Sequence, residues 1–177
     1  MSNSSLGLLS SYGGGNLVLK LTIELVPESS WGVNLAHILA GPVWDTLRRE
    51  VYKRSNWTCE VCEETDLQLH CHEVWEYNDQ KKTQTLVQLQ CLCVYCHDIK
   101  HWGRTVTIVH SGHYSSNYLK ELERHFCKVN QCTKEVFLQH KVQCGKLWQI
   151  RSRKKYKVDF GVYTPEKIVK LWKKERK

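Results

Sequence analysis

The 177-residue sequence contains no long apolar run, so no stretch of it suits a membrane-spanning helix and no membrane is expected as a partner. It also lacks a basic start. Residues 1–15 carry no Lys or Arg and end in Gly13-Gly14-Gly15, which reads as a disordered tail over 1–16 and not as an export signal. Without export, nine cysteines point to a reducing, cytoplasmic location, where paired cysteines usually bind metal. Proline is scarce, and its three copies read as punctuation: Pro27 stops an apolar stretch, Pro42 ends a mixed segment, and Pro165 opens a last helix. The final third is short of acid, with six acidic against seventeen basic side chains over 117–177, whereas 1–50 and 51–116 sum to −1 and −2. A surplus of that size on one segment suits a phosphate backbone, which makes DNA the expected partner. No base-reading motif accompanies it.

What the sequence does hold is concentrated between Cys59 and Trp102. Two Cys-x-x-Cys pairs, Cys59/Cys62 and Cys93/Cys96, are separated by thirty residues. Each pair offers two thiolates from one tight turn, and two such turns complete the tetrahedral sulfur shell of a structural Zn2+. Four core cysteines or two disulfides are the alternatives, and equal short spacing in both pairs weighs against them. Cys127, Cys132 and Cys144 lack such spacing and read as small apolar residues.

Histidines fill the interval. His72 sits in an alternating run over 67–75 that reads as a strand. His97 follows the second pair directly and His101 comes four residues later, so a helix starting at the knuckle sets both on one face, able to share one metal. His110, His113, His125 and His140 have no ligand-like spacing and are assigned no chemistry.

At this length one compact unit is expected, of the α+β class. The patterns predict a strand over 17–26, a loop with a short helix over 27–42 and an amphipathic helix over 43–55. A hairpin follows, with strands over 67–75 and 83–91 around a polar turn at 78–82, then a helix over 94–102 capped by Gly103. Helices over 114–129 and from 133 through 148 form a helical hairpin, and a strand over 157–163 leads to a basic helix over 166–177. The blocks are thus a tail, 1–16; a strand and helix packing on the core, 17–55; a zinc core, 56–104; and a basic, mainly helical extension, 105–177. Trp44 and Trp57 read as apolar cover for the zinc cluster.

Leu69-His70-Cys71-His72-Glu73, Gln88-Leu89 and Leu92-Cys93-x-x-Cys96-His97-x-x-Lys100-His101 together resemble the HNH (ββα-metal) endonuclease family in its four-cysteine zinc form. More loosely, residues 25–163 are similar to uncharacterised HNH proteins of bacteria and phages, with Leu-Val-Pro, Trp-x-x-Leu-Arg and Arg-Ser-x5-Val-Asp blocks flanking the core. The resemblance implies a treble-clef-like ββα core that hydrolyses DNA phosphodiester bonds. It implies His72 as general base, and His97 and His101 as ligands of a catalytic divalent ion, Mg2+, Mn2+, Ni2+ or Zn2+. It also puts Cys71 at the adjacent ligand position and Gln88 where an asparagine usually orients the base. An alternative register makes His72 a ligand and Glu73 the base. Because Gln88 and Cys71 depart from the family pattern, a zinc-stabilised DNA-binding module without catalysis is the competing reading, and a treble-clef protein-interaction module a third. Arg48, Arg49, Arg54, Lys100 and Arg104, with the run Arg151, Arg153, Lys154, Lys155 and Lys157, are the candidate phosphate contacts.

Overall fold

A computed structural model describes residues 10–12 and 15–174. In chain order its elements are β1 (Ser10–Tyr12), β2 (Gly15–Leu17), α1 (Leu35–Ile38), α2 (Gly41–Arg54), β3 (Leu69–Asn78) and β4 (Thr83–Cys93). Then come α3 (Val94–Lys100), α4 (Trp102–His110), α5 (Tyr118–Asn130), α6 (Lys134–Ser152), β5 (Lys157–Asp159) and α7 (Pro165–Lys174). The fold is mixed α+β with a small three-stranded sheet. Where the sequence reads as one compact unit, the chain forms two, each discontinuous: residues up to Leu25 with Tyr95–Leu147, and Val26–Val94 with Trp148 onward. Among the described residues no helix is long and apolar enough to cross a membrane.

In the first unit, β1 and β2 pair antiparallel with Ser10 opposite Leu17 and Tyr12 opposite Gly15. Part of the stretch read as a disordered tail is therefore a hairpin; residues 1–9, 13 and 14 lie outside the described residues. The strands are two residues apart in sequence, and the intervening Gly-Gly is a composition that short hairpins favour.

The strand expected over 17–26 does not form beyond Leu17. Its alternation survives as burial, since Leu19, Leu21 and Ile23 are buried and Val18 and Lys20 exposed. Among the described residues no strand pairs with the stretch beyond Leu17, and mainly side chains stand in for one. The Asn130 amide accepts from the Leu21 N–H at 3.0 Å and donates to the Leu21 carbonyl at 2.9 Å. His140 Nε2 accepts from the Ile23 N–H at 2.9 Å, and the Lys100 carbonyl accepts from the Glu24 N–H at 2.8 Å. Buried peptide groups must be paired, and here buried polar side chains do the pairing.

The helix expected to end at Gly103 continues. His101 leaves helical geometry at φ −90° and ψ 36°, and α4 restarts one residue later with Gly103 inside it. A Cβ on Gly103 would lie 3.4 Å from Leu25 Cδ2, so the glycine admits Leu25 closely. Helix α5 begins four residues later than expected because 114–117 is a turn, closed by the Tyr118 N–H on the Ser115 carbonyl at 2.9 Å. Gln131, left-handed at φ 49°, ends α5. Ile99, Leu122, Phe126 and Phe137 are buried at the centre, the two phenylalanine rings 4.9 Å apart.

In the second unit the sheet runs β3-β4-β5, antiparallel across the β3–β4 hairpin and parallel between β4 and β5. The hairpin register slips at Val74/Trp75: Val74 opposes Gln88 while Trp75 opposes Leu86, which leaves Val87 as the extra residue of a bulge. The bulge has a packing purpose. Leu86 and Leu89 would face opposite ways in a regular strand, yet both are buried in the core formed with Leu35, Leu39, Val43, Val51, Tyr52, Cys91 and Ile168. Trp44 packs at the edge of this core, as an amphipathic α2 requires. Trp57 does not: it is 53% exposed, with φ +56°, and its ring centroid lies 5.8 Å from that of Tyr52. The strand expected over 157–163 stops at Asp159, because Gly161 turns the backbone at φ +53° into a 3-10 turn.

Candidate metal centres

Cys59 and Cys62 lie in the loop after α2; Cys93 ends β4 and Cys96 lies in the first turn of α3. The first knuckle is a closed turn in which the Cys59 carbonyl accepts from Glu63 and the Cys59 N–H donates to the Glu64 carbonyl, each at 3.0 Å. Glu63 bears the cost of that turn at φ +65°, a left-handed angle that glycine would adopt more freely. Glu60 ties the knuckle to β4: its N–H donates to the Cys91 carbonyl at 2.8 Å and its carboxylate accepts from the Cys91 N–H. All four sulfurs lie within 4.8 Å of one another, and Cys62 and Cys93 are 3.6 Å apart with no disulfide. A tetrahedral Zn2+ with Zn–S near 2.3 Å needs sulfurs about 3.8 Å apart, so the group is close enough to hold one.

A second group includes His97, the residue directly after Cys96. The ligand atoms of His72, His97 and His101 also lie within 4.8 Å of one another. His97 and His101 stand one turn apart with rings 4.6 Å between centroids, and His72 is buried on β3 at 2% exposure. Three imidazoles at this spacing suit a borderline cation such as Zn2+ or Ni2+.

Strand alternation sorts the neighbours of His72. Cys71 and Glu73 face the other way, into the α1–α2 core, so neither reaches the histidine group. Cys71 was expected as a ligand; it opposes Cys91 in the ladder, and burial, with Glu73 and Cys91 adding, pushes its thiol up to about 12. Glu73 was expected as base in the alternative register; its carboxylate accepts from the Leu35 N–H at 2.7 Å at the start of α1, and burial raises it to about 7 despite that bond. Gln88 opposes Val74 and is exposed, while the residue directly across from His72 is Gln90. Sequence spacing alone missed Gln90 because the pairing register was not known.

Two further residues escaped the sequence reading. Asp98 is buried at 3% exposure behind His97, with Oδ1 3.7 Å from His97 Nδ1 and Oδ2 accepting from the Tyr118 hydroxyl at 2.8 Å. Burial pushes this carboxyl up, but the nearby His97 ring and the Tyr118 hydroxyl bond outweigh that and hold it below its usual range. His125, assigned no chemistry on spacing, brings Nε2 to 3.2 Å from Cys96 Sγ. Both come from α5 or face it, and no motif marks such long-range contacts.

The candidate phosphate contacts divide by what they already hold. Lys100 is 5% exposed with its ammonium on Glu24, so it is not a surface cation. Arg151 and Lys154 both pair with Asp79, at 3.2 and 3.0 Å, beside the Tyr156 hydroxyl. Arg48 pairs with Asp45 at 2.8 Å, and Arg54 donates to the Leu89 carbonyl at 2.7 Å. Arg49, Arg153, Lys155 and Lys157 are exposed, and Arg104 is 62% exposed at 4.0 Å from Asp98. No family model, curated protein or solved structure matches the chain, which leaves the chemistry of the two groups as the guide to function.

Proposed function

We propose that the protein is a metal-dependent endonuclease of the HNH (ββα-metal) kind, its treble-clef-like core stapled by zinc on Cys59, Cys62, Cys93 and Cys96, and that it nicks or cuts DNA. The observation that supports this reading is the convergence of His72, His97 and His101 within 4.8 Å, with His97 directly following Cys96 of the four-cysteine group. A divalent ion there would supply positive charge to a scissile phosphate oxygen and lower the pKa of a bound water. His97 and His101, one turn apart, would hold that ion. His72, on the strand, accepts the proton of the attacking water, and Gln90, its cross-strand neighbour, limits its movement from the side. A set of imidazoles without a carboxylate favours Ni2+ or Zn2+ over Mg2+, which prefers oxygen.

The second reading, a zinc-stabilised DNA-binding module without catalysis, is favoured by the burial of His72, since 2% exposure leaves little space for a substrate beside it. Supercoiled plasmid incubated with the protein and Mg2+, Mn2+, Ni2+ or Zn2+, alongside His72→Ala, separates the two. Ion-dependent cutting that the variant loses supports the enzyme. Equal cutting by both proteins sinks the role of His72, and salt-sensitive DNA binding with no cutting under any ion selects the second reading.

A further inference from the structure

The buried carboxylate of Asp98 has its two oxygens assigned to different partners. Oδ2 accepts from the Tyr118 hydroxyl at 2.8 Å, and Oδ1 faces His97 Nδ1 at 3.7 Å. The Asp98 backbone is fixed as well, its carbonyl accepting from the Thr105 hydroxyl at 2.9 Å. Tyr118 is steadied in turn by Tyr95 and Tyr114, at ring centroid distances of 6.0 and 4.9 Å. Successive residues on a helix do not normally face each other, so this Asp–His approach reflects how Tyr118 holds the carboxylate. A histidine that binds metal through one ring nitrogen donates from the other, and a carboxylate is a common acceptor. With Nδ1 turned to Asp98, Nε2 is the atom left for an ion.

We propose that Asp98, held by Tyr118, is the positioning residue of the histidine centre: its carboxylate accepts a hydrogen bond from the Nδ1–H of His97, fixes the ring's tautomer and orientation, and so raises the affinity of the centre for a divalent cation. The inference rests on the reading of His97 and His101 as holders of one divalent ion beside His72. At 3.7 Å the contact is longer than a hydrogen bond, and a small rotation of the His97 ring closes it.

The test uses the full chain with zinc on its cysteines, titrated with Co2+ by calorimetry and followed by the visible Co2+ bands. Wild-type protein is expected to take up one Co2+ beyond its zinc. Asp98→Asn is expected to bind that ion roughly 10–100-fold more weakly and with shifted bands, its zinc content unchanged, and Asp98→Glu to recover part of the loss. If Asp98→Asn does not fold, Tyr118→Phe carries the test, with weaker Co2+ binding expected and wild-type affinity counting against the proposal. A folded Asp98→Asn with wild-type affinity and bands overturns the role of Asp98 alone. A wild-type protein that takes up no Co2+ overturns the histidine centre and this proposal with it.

Discussion

His125 Nε2 lies 3.2 Å from the sulfur of Cys96, a contact that joins α5 to the first turn of α3. Tyr118, which holds Asp98, sits seven residues earlier on the same helix, so one face of α5 backs residues of both candidate centres. A ring N–H aimed at a metal-bound thiolate stabilises its charge without entering the ligand set. His125→Ala is therefore expected to lower zinc affinity about 10–100-fold in competition with a chromophoric chelator. Unchanged affinity would mean that His125 only packs against Tyr95, whose ring centroid is 5.5 Å away.

His140 sets a pH dependence. Burial, helped by the charge of Lys100, lowers it to about 4, and its Nε2 accepts from the Ile23 N–H, a bond that a protonated ring cannot make. The depressed value means that the unfolded chain takes up the proton first as pH falls. Stability from this group is complete above about pH 6.5 and is lost as pH falls towards 4, up to about 3 kcal/mol. An ion on the cysteine group would also be lost in acid, so the measurement is the difference in urea stability between wild type and His140→Gln. That difference should shrink from pH 7 to pH 4.5; a constant difference would remove His140 from the account.

Gly161 is a position where only glycine fits. Its φ is +53°, and a Cβ there would stand 2.8 Å from the Leu86 carbonyl oxygen, next to the β4 bulge. Gly161→Ala must move backbone and adopt a left-handed angle together, at a cost of about 1–3 kcal/mol. Gly145 has nothing within 4 Å of its missing side chain and sits inside α6, so Gly145→Ala should instead stabilise by about 0.5–1 kcal/mol. Thermal melts of the two variants should move in opposite directions.

The local parts of the fold were legible because local rules produce them. Equal Cys-x-x-Cys spacing marked the four sulfurs, the i, i+4 histidines marked two rings that meet although the helix breaks at His101, and alternation marked β3. What failed depended on partners distant in sequence. Residues 18–25 have the apolar alternation of a strand but are met by Asn130 and His140 and not by another strand. Gln88 was chosen over Gln90 because the β3–β4 register was not known, and Cys71 and Glu73 were read beside His72 although a strand sends adjacent residues to opposite faces. Asp98 and His125 gain meaning only from α5, through contacts 20 and 29 residues apart.

The basic run after α6 is similarly divided, and its division gives the sharpest test of DNA binding. Asp79 takes Arg151, Lys154 and the Tyr156 hydroxyl together; although burial raises its carboxyl, those bonds bring it down to about 2. Arg151 also stacks 4.3 Å over the Tyr77 ring. These cations are engaged in the fold, whereas Arg153, Lys155 and Lys157 are exposed and are the ones that the proposed DNA reading would place on phosphates. Replacing those three by alanine is expected to weaken binding to all DNA sequences about equally and to flatten the log–log salt slope by about one unit per lost contact. Arg151→Ala should instead lower thermal stability and change the salt slope little. If the triple variant binds as wild type does at both low and moderate salt, the run is a solubilising surface, and the grip on DNA belongs to the exposed cations Arg49 and Arg104.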